Sequence, residues 1–177
     1  MKTRFTNKTM AKRRAARITQ PALKSGKGEK IQKSITINRP ASELFSFWRR
    51  FENLPRFMLY LQSVTERPDG TSHWVLRTPK GRQYQWDAGI IEERPNEMIS
   101  WQSLEGADLV NAGSVWFTPA PGGQGTLVRV SMKYSPPFGK AGGFFAALMG
   151  QTAEQLLGAD LFRFKALMET DEVVTQE

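Results

Sequence analysis

Cysteine is absent from the 177 residues, histidine occurs once, and no apolar run approaches the roughly 20 residues needed to cross a bilayer. Without cysteine there is no disulfide, no thiolate nucleophile and no cysteine metal site. A single histidine, His73, rules out a histidine metal cluster and leaves little for a triad. His73 stands beside Trp74 in an alternating stretch, so the two point to opposite faces; His73 reads as a solvated or structural group. No glycine loop suits a phosphate. Gly122-Gly123-Gln124-Gly125 joins two strands without opening a helix, and it reads as a hairpin turn. No secretory h-region stands at the start. The expectation is a cytoplasmic protein, peripheral at a membrane if it attaches through its N-terminal residues, without metal or cofactor.

Charge is present but unevenly placed. Residues 1–30 hold ten Lys or Arg against one acid, Glu29, whereas the remaining residues hold fifteen basic and sixteen acidic. The net charge of +8 therefore belongs to an appendage on a near-neutral domain. That distribution argues against specific nucleic-acid recognition by the domain surface. The appendage has few large apolar residues and ends in Ser25-Gly26-Lys27-Gly28, so it cannot offset its ordering entropy and is expected to be mostly disordered. As a polyelectrolyte it suits an anionic membrane surface, non-specific nucleic acid or a simple solubilising role; its Arg-rich, acid-poor composition also matches a transit peptide. The expected organisation is a basic tail over 1–30, one domain over 31–170 and a short C-terminal tail over 171–177.

Within the domain, Ile31, Ile35 and Ile37 share one face of a first strand. Pro40 suits a first helical position with Glu43 in the first turn, and Leu44, Phe45, Trp48 and Phe51 recur at helical spacing. Pro55 is expected to end that helix, with a second short turn around Arg56–Tyr60. Hairpin punctuation follows: Pro68-Asp69-Gly70, Pro79-Lys80-Gly81, Pro95-Asn96, a loop at Leu104–Val110 and the Gly122–Gly125 turn separate six further strands. Pro136-Pro137 stops the last of them, and Gly142-Gly143 precedes a single long helix over about Phe144–Glu169. Its apolar residues cover far more than a narrow stripe, as a helix gripped by a concave sheet requires.

The strand aromatics and this helix supply the candidate site. Trp74, Tyr84, Trp86, Trp101, Trp116 and Tyr134 alternate with polar residues. Facing inward, Trp86, Trp101, Trp116 and Tyr134 with Leu157 and Leu161 would line a pocket for a flat or isoprenoid ligand; packed against the helix, the same residues would form an ordinary core. Asp160 and Arg163 alone break the apolar arc of the helix. Three residues apart, they suit either an ion pair anchoring the helix or polar groups presented to a ligand, with Asp160 and Arg163 the weak catalytic candidates. Asp87 reads as a solvated strand-face carboxylate.

The element order, with Phe51-Glu52-Asn53-Leu54-Pro55, Asn96-Glu97-Met98-Ile99-Ser100-Trp101, Gly113-Ser114-Val115-Trp116-Phe117 and Asp160-Leu161-Phe162-Arg163-Phe164-Lys165, resembles the START-like (SRPBCC) superfamily, in its bacterial polyketide cyclase/dehydrase and coenzyme Q-binding-protein-like branch. The resemblance covers about Ile31–Thr170. It implies an α+β helix-grip fold: a seven-stranded antiparallel curved sheet around a long C-terminal helix, with two short helices after the first strand. It also implies a hydrophobic ligand, such as a lipid or polyprenyl quinone, held between sheet and helix. A cyclase or dehydratase using a buried polar group, and an interaction domain with a filled core, are the alternatives.

Overall fold

A computed structural model describes residues 29–135 and 144–170. Residues 1–28, 136–143 and 171–177 lie outside it, and with them most of the basic tail, the Pro136-Pro137 stop and the C-terminal tail. The chain runs β1 (Glu29–Ile37), α1 (Ala41–Arg49), a 3₁₀ helix (Phe51–Arg56), β2 (Leu61–Glu66), β3 (Ser72–Arg77), β4 (Gln83–Arg94), β5 (Met98–Ser103), β6 (Val110–Pro119), β7 (Thr126–Ser135), α2 (Phe144–Met149) and α3 (Ala153–Thr170). All seven strands form one antiparallel sheet in the order β1-β7-β6-β5-β4-β3-β2. Only β1 leaves the hairpin succession: the two short helices carry the chain from one sheet edge to the other. Register shifts at Leu61/Ser63 and Ile90/Glu92 place bulges in β2 and β4, and bulges bend the strands that carry them. The sheet curves around the C-terminal helix, as in a helix-grip fold.

Three local readings need correction. The second short helix is Phe51–Arg56, so Pro55 lies inside it rather than before it. A two-turn 3₁₀ helix asks for few backbone bonds, and proline's missing N–H costs little there.

The C-terminal helix is two helices. Gly150 adopts φ +71 and its N–H still donates to Ala146 O at 3.0 Å, which closes α2 in the left-handed conformation that favours glycine. A reciprocal cap then starts α3: Gln155 N donates to Thr152 Oγ1 at 3.2 Å, and Thr152 N donates to Gln155 Oε1 at 3.0 Å. Thr152-x-x-Gln155 was a readable start signal, overridden in the sequence by the unbroken apolar content around it.

The helix is also less enclosed than its composition suggested. Leu156, Leu157, Leu161, Phe164 and Met168 are buried, but Phe162 is 66% exposed.

α3 is fastened along its length and at its C-terminal end. Arg39 caps that end, its Nε donating to Met168 O at 2.9 Å and its Nη2 to Glu169 O at 3.0 Å. The Glu169 carboxylate accepts from Asn38 N at 3.0 Å and pairs with Lys165 at 2.9 Å. These bonds hold it below the usual carboxylate range. Lys165 Nζ also donates to Thr36 O at 2.6 Å. Midway along, Arg163 Nε donates to Phe57 O at 3.0 Å and Leu59 N donates to Asp160 Oδ1 at 3.2 Å.

Candidate functional site

The inner face of the sheet carries the large aromatics, and it divides into two halves. Under α1, Trp48, Phe57 and Phe164 meet with ring centroids 4.7–5.3 Å apart, and Phe117 closes on Trp48 at 6.4 Å. Trp48, Phe57 and Phe164 are essentially inaccessible. This half is solid.

Toward α2 the packing opens into a cavity of about 130 Å³. One wall is a stack of indoles: Trp74 lies parallel to Trp86 at 6.0 Å and to Trp101 at 6.3 Å, with interplanar angles of 19° and 17°. The stack is possible because β6 presents Gly113 beneath Trp101. A Cβ built on Gly113 would sit 2.5 Å from Trp101 Cζ2, so the indole occupies the space of the missing side chain. The roof is helical, with Phe145 and Met149 from α2 and Ala153, Leu156, Leu157 and Asp160 from α3. Met58 and Tyr60, from the link after the 3₁₀ helix, and Leu76 of β3 close the side.

Polar atoms enter the cavity end of the sheet in one cross-strand row. Ser72 faces Ala88, which faces Ser103; Asn111 faces Tyr134, which faces Glu29. Asn111 N donates to Ser103 Oγ at 3.0 Å and joins the two halves of the row. Ser72, Ser103, Asn111 and Tyr134 are all buried. Trp74 Nε1 donates to Ser72 Oγ at 2.8 Å, and Asn111 Nδ2 donates to Leu109 O at 2.9 Å. The Tyr134 hydroxyl donates to Glu29 Oε2. Burial and that hydrogen bond push the phenol well above its ordinary value, so it remains a neutral donor. Phe145 stands edge-on to Tyr134 at 4.7 Å.

Asp160 is the cavity's one lining carboxylate among the described residues. Arg163 Nη2 and Leu59 N both donate to its Oδ1. Burial outweighs these bonds and raises the carboxyl above its ordinary value of 3.8. Arg163 directs its Nε at Phe57 O and does not line the cavity. The Asp160–Arg163 pair thus ties α3 to the Phe57–Leu59 link while showing its acidic member to the cavity.

Of the six sequence-predicted lining residues, Trp86, Trp101, Tyr134 and Leu157 lie on the cavity wall. Trp116 does not. It stands on the outer face of β6 between Arg94 and Arg129, whose guanidinium carbons lie 5.5 and 5.8 Å from its ring centroid. The inward residues of β6 are Asn111, Gly113, Val115 and Phe117, so ring size misled where the apolar pair flanking Trp116 carried the register. Leu161 is buried in the solid core rather than at the cavity. Sequence reasoning missed Asn111, a polar residue at an inward position. The parity set by Val115 and Phe117 is the signal that finds it.

His73 faces outward, as its alternation with Trp74 requires. Its Nδ1 lies 2.7 Å from Asp87 Oδ1 and its Nε2 lies 3.1 Å from Gln85 Oε1. Asp87 also pairs with Arg67 at 3.1 Å. Among the described residues, no group of three or more His, Asp or Glu is placed to hold a metal ion, and no helix is long and apolar enough to cross a membrane.

A two-layer grip of sheet on helix with an apolar hollow between them defines a class of small-molecule-binding domain. The model of the family described as polyketide cyclase/dehydrase and lipid transport matches residues 37–162, and the chain belongs to that family. It is 30% identical over 142 residues to a 17.2 kDa protein from the melC2-rnhH intergenic region of Streptomyces lincolnensis, covering 79% of this chain and 89% of the relative. Among solved structures it resembles DR_A0006 from Deinococcus radiodurans, with a TM-score of 0.64 and 35% identity over 80% of this chain and 97% of that one. It also resembles a START superfamily protein from Mycobacterium smegmatis, with a TM-score of 0.59 and 17% identity over 82% and 99% of the two chains. The second likeness is one of fold alone.

Proposed function

We propose that the protein binds, without chemically changing, a compact hydrophobic molecule in the hollow between the indole stack and the helices. The observation that carries this reading is the cavity itself: about 130 Å³ of space walled by aromatic and aliphatic side chains, in a family described by lipid transport as well as by cyclase chemistry. Its size sets the occupant. Pockets for drug-sized ligands run to roughly 300–1,000 Å³, whereas an apolar cavity of about 150 Å³ takes benzene. A single ring or a short chain fits. A polyprenyl quinone enters by its head ring alone unless α2 moves aside. Titration with α-methylstyrene, followed by tryptophan fluorescence and calorimetry, tests the reading: saturable one-to-one binding supports it, and no binding removes it.

One observation favours a second reading, a cyclase or dehydratase. Asp160 combines a place on the cavity wall with a carboxyl made more basic by burial, the combination a proton-shuttling group needs. Under that reading the wild type accelerates deuterium uptake at the methyl group of a bound aryl methyl ketone, and Asp160→Asn does not. Equal rates with and without protein would exclude it.

The basic tail supports a membrane-loading role by its charge, at about 1 kcal/mol per basic residue near an anionic surface. Full-length protein should pellet with anionic liposomes at low salt and protein lacking residues 1–28 should not; equal pelleting would sink this part.

A further inference from the structure

The outer face of the sheet carries a charge pattern that the domain's near-zero total conceals. Its described helices all lie on the opposite, inner side. Across β1, β7, β6 and β5 the outward positions include Lys30, Arg129 and Lys133 and not one Asp or Glu. Arg94 reaches in from β4 and brings Glu92, its paired carboxylate at 2.8 Å. The other balancing carboxylates lie on the helices, β2, β4 and the loops. Three cross-strand rows order the face. Arg94, Met98, Trp116, Arg129 and Ser34 form the first; Ser100, Ser114 and Ser131 are the middle of the second; Lys133 and Lys30 end the third. Successive rows stand two residues apart along the strands, roughly 7 Å. The small serines therefore leave a shallow trough between rows of long cationic side chains. In the first row, half-buried Trp116 is bracketed by the exposed Arg94 and Arg129. The trough leads to edge strand β1, which continues from residues 1–28, with their nine Lys or Arg and no acid.

Independently of the cavity and its occupant, we infer that this face is a docking surface for single-stranded RNA, bound without sequence preference. Phosphates lie against Arg129, Lys133 and Lys30, ribose runs over the serine row, and a base rests on the exposed part of the Trp116 ring. Three features select this partner. Cations without intervening acids suit a polyanion. An aromatic ring between guanidinium groups suits a base, whatever its identity, because every base has a π-face. The hydroxyls of Ser100, Ser114 and Ser131 suit the ribose 2′-hydroxyl, which DNA lacks. A bilayer fits less well. The large apolar side chains that the described residues expose, Leu59, Ile91 and Phe162, lie on none of these four strands, so the face offers none of them for insertion.

The test follows a fluorescently labelled oligouridine by anisotropy against the full chain, with the tail intact in every variant. Arg129→Ser/Lys133→Ser should weaken binding about tenfold and make its log–log salt dependence shallower by about 1.4, at about 0.7 for each phosphate contact on a single strand. Arg50→Ser/Lys80→Ser removes the same charge from the α1 end and the β3–β4 turn, and should leave affinity and slope nearly unchanged. Trp116→Ala should weaken binding about fivefold or more, the lower end for one stacked base, and Trp116→Phe should restore most of it. Equal losses in the two double variants, or no loss in either, would assign binding to the tail and to net charge and overturn the inference, even if Trp116→Ala fails to fold. Normal binding by a folded Trp116→Ala overturns the stacking contact. Oligodeoxyuridine bound as tightly as oligouridine overturns the choice of RNA. If Arg129→Ser/Lys133→Ser loses pelleting with phosphatidylglycerol vesicles and keeps its oligouridine affinity, the face belongs to a membrane and the inference fails. It fails equally if the wild type binds no oligouridine.

Discussion

The two halves of the inner face use the same materials and reach opposite results. Both are rich in tryptophan and phenylalanine, both lie on one sheet, and both are roofed in part by α3. One is solid around Trp48, Phe57 and Phe164; the other leaves a partly open cavity of about 130 Å³. What differs is the cover and the placement of polar groups. The solid half is sealed by α1 and the 3₁₀ helix, whose Leu44, Trp48, Phe51 and Leu54 are fully or almost fully buried. The hollow half is covered by six-residue α2, set off from α3 by Gly150. The Ser72–Ser103–Asn111–Tyr134 row crosses that end of the sheet. Aromatic content alone therefore does not distinguish solid core from hollow in this fold. The cover and the polar row do.

The contrast can be broken first where it is strongest. Phe164→Ala empties the solid half and should cost about 3–5 kcal/mol in chemical denaturation. A cost near 1 kcal/mol would mean that half is loosely packed as well. Next comes the indole wall. Gly113→Ala places a methyl inside the Trp101 ring and should cost about 1–3 kcal/mol, with a changed near-ultraviolet circular dichroism from the displaced stack. An unaltered spectrum would show that Trp101 does not rest on Gly113. Leu157→Trp adds volume on the hollow side, where there is room. It should hold stability within about 1 kcal/mol while abolishing α-methylstyrene binding; normal binding by a destabilised variant would show the hollow to be filled core.

The smallest effect is electrostatic. Burial raises the Asp160 carboxyl in the folded protein above its ordinary 3.8. The folded state thus holds this proton more tightly than the unfolded state. Its contribution to stability is fully present below that ordinary value and is lost as pH rises through the raised one. Asp160→Asn should flatten this mildly acidic segment of the stability profile. The same slope in both proteins would assign it to another group.

Much of this was legible in the sequence, because hairpin turns and alternation are local signals. Seven strands, two short helices and the inward placement of Trp86, Trp101 and Tyr134 follow from parity and punctuation. Trp116 went wrong because strand parity admits two faces and ring size was taken to choose between them. An outward tryptophan clamped by Arg94 and Arg129 is stabilised by side chains from β4, two strands away, and from the adjacent β7, which no local pattern displays. The break at Gly150 was masked by apolar residues on both sides of it. The hollow itself is a property of packing, set by how far α2 and α3 stand from the sheet, and periodicity carries no measure of that distance.

The fastening of α3 has a kinetic consequence. Arg39, Lys165, Glu169 and the Asp160–Arg163 pair hold its middle and its C-terminal end to the rest of the fold. Its N-terminal turn is held by the local Thr152–Gln155 cap beside the Gly150 break. Fluctuations that part the roof from the wall therefore begin at α2 and the first turn of α3, as local openings far cheaper than global unfolding. Under the binding reading, the residence time of an occupant would be set by that hinge and not by the stability of the domain. Stiffening the hinge would slow entry and exit together while leaving the melting temperature almost where it was.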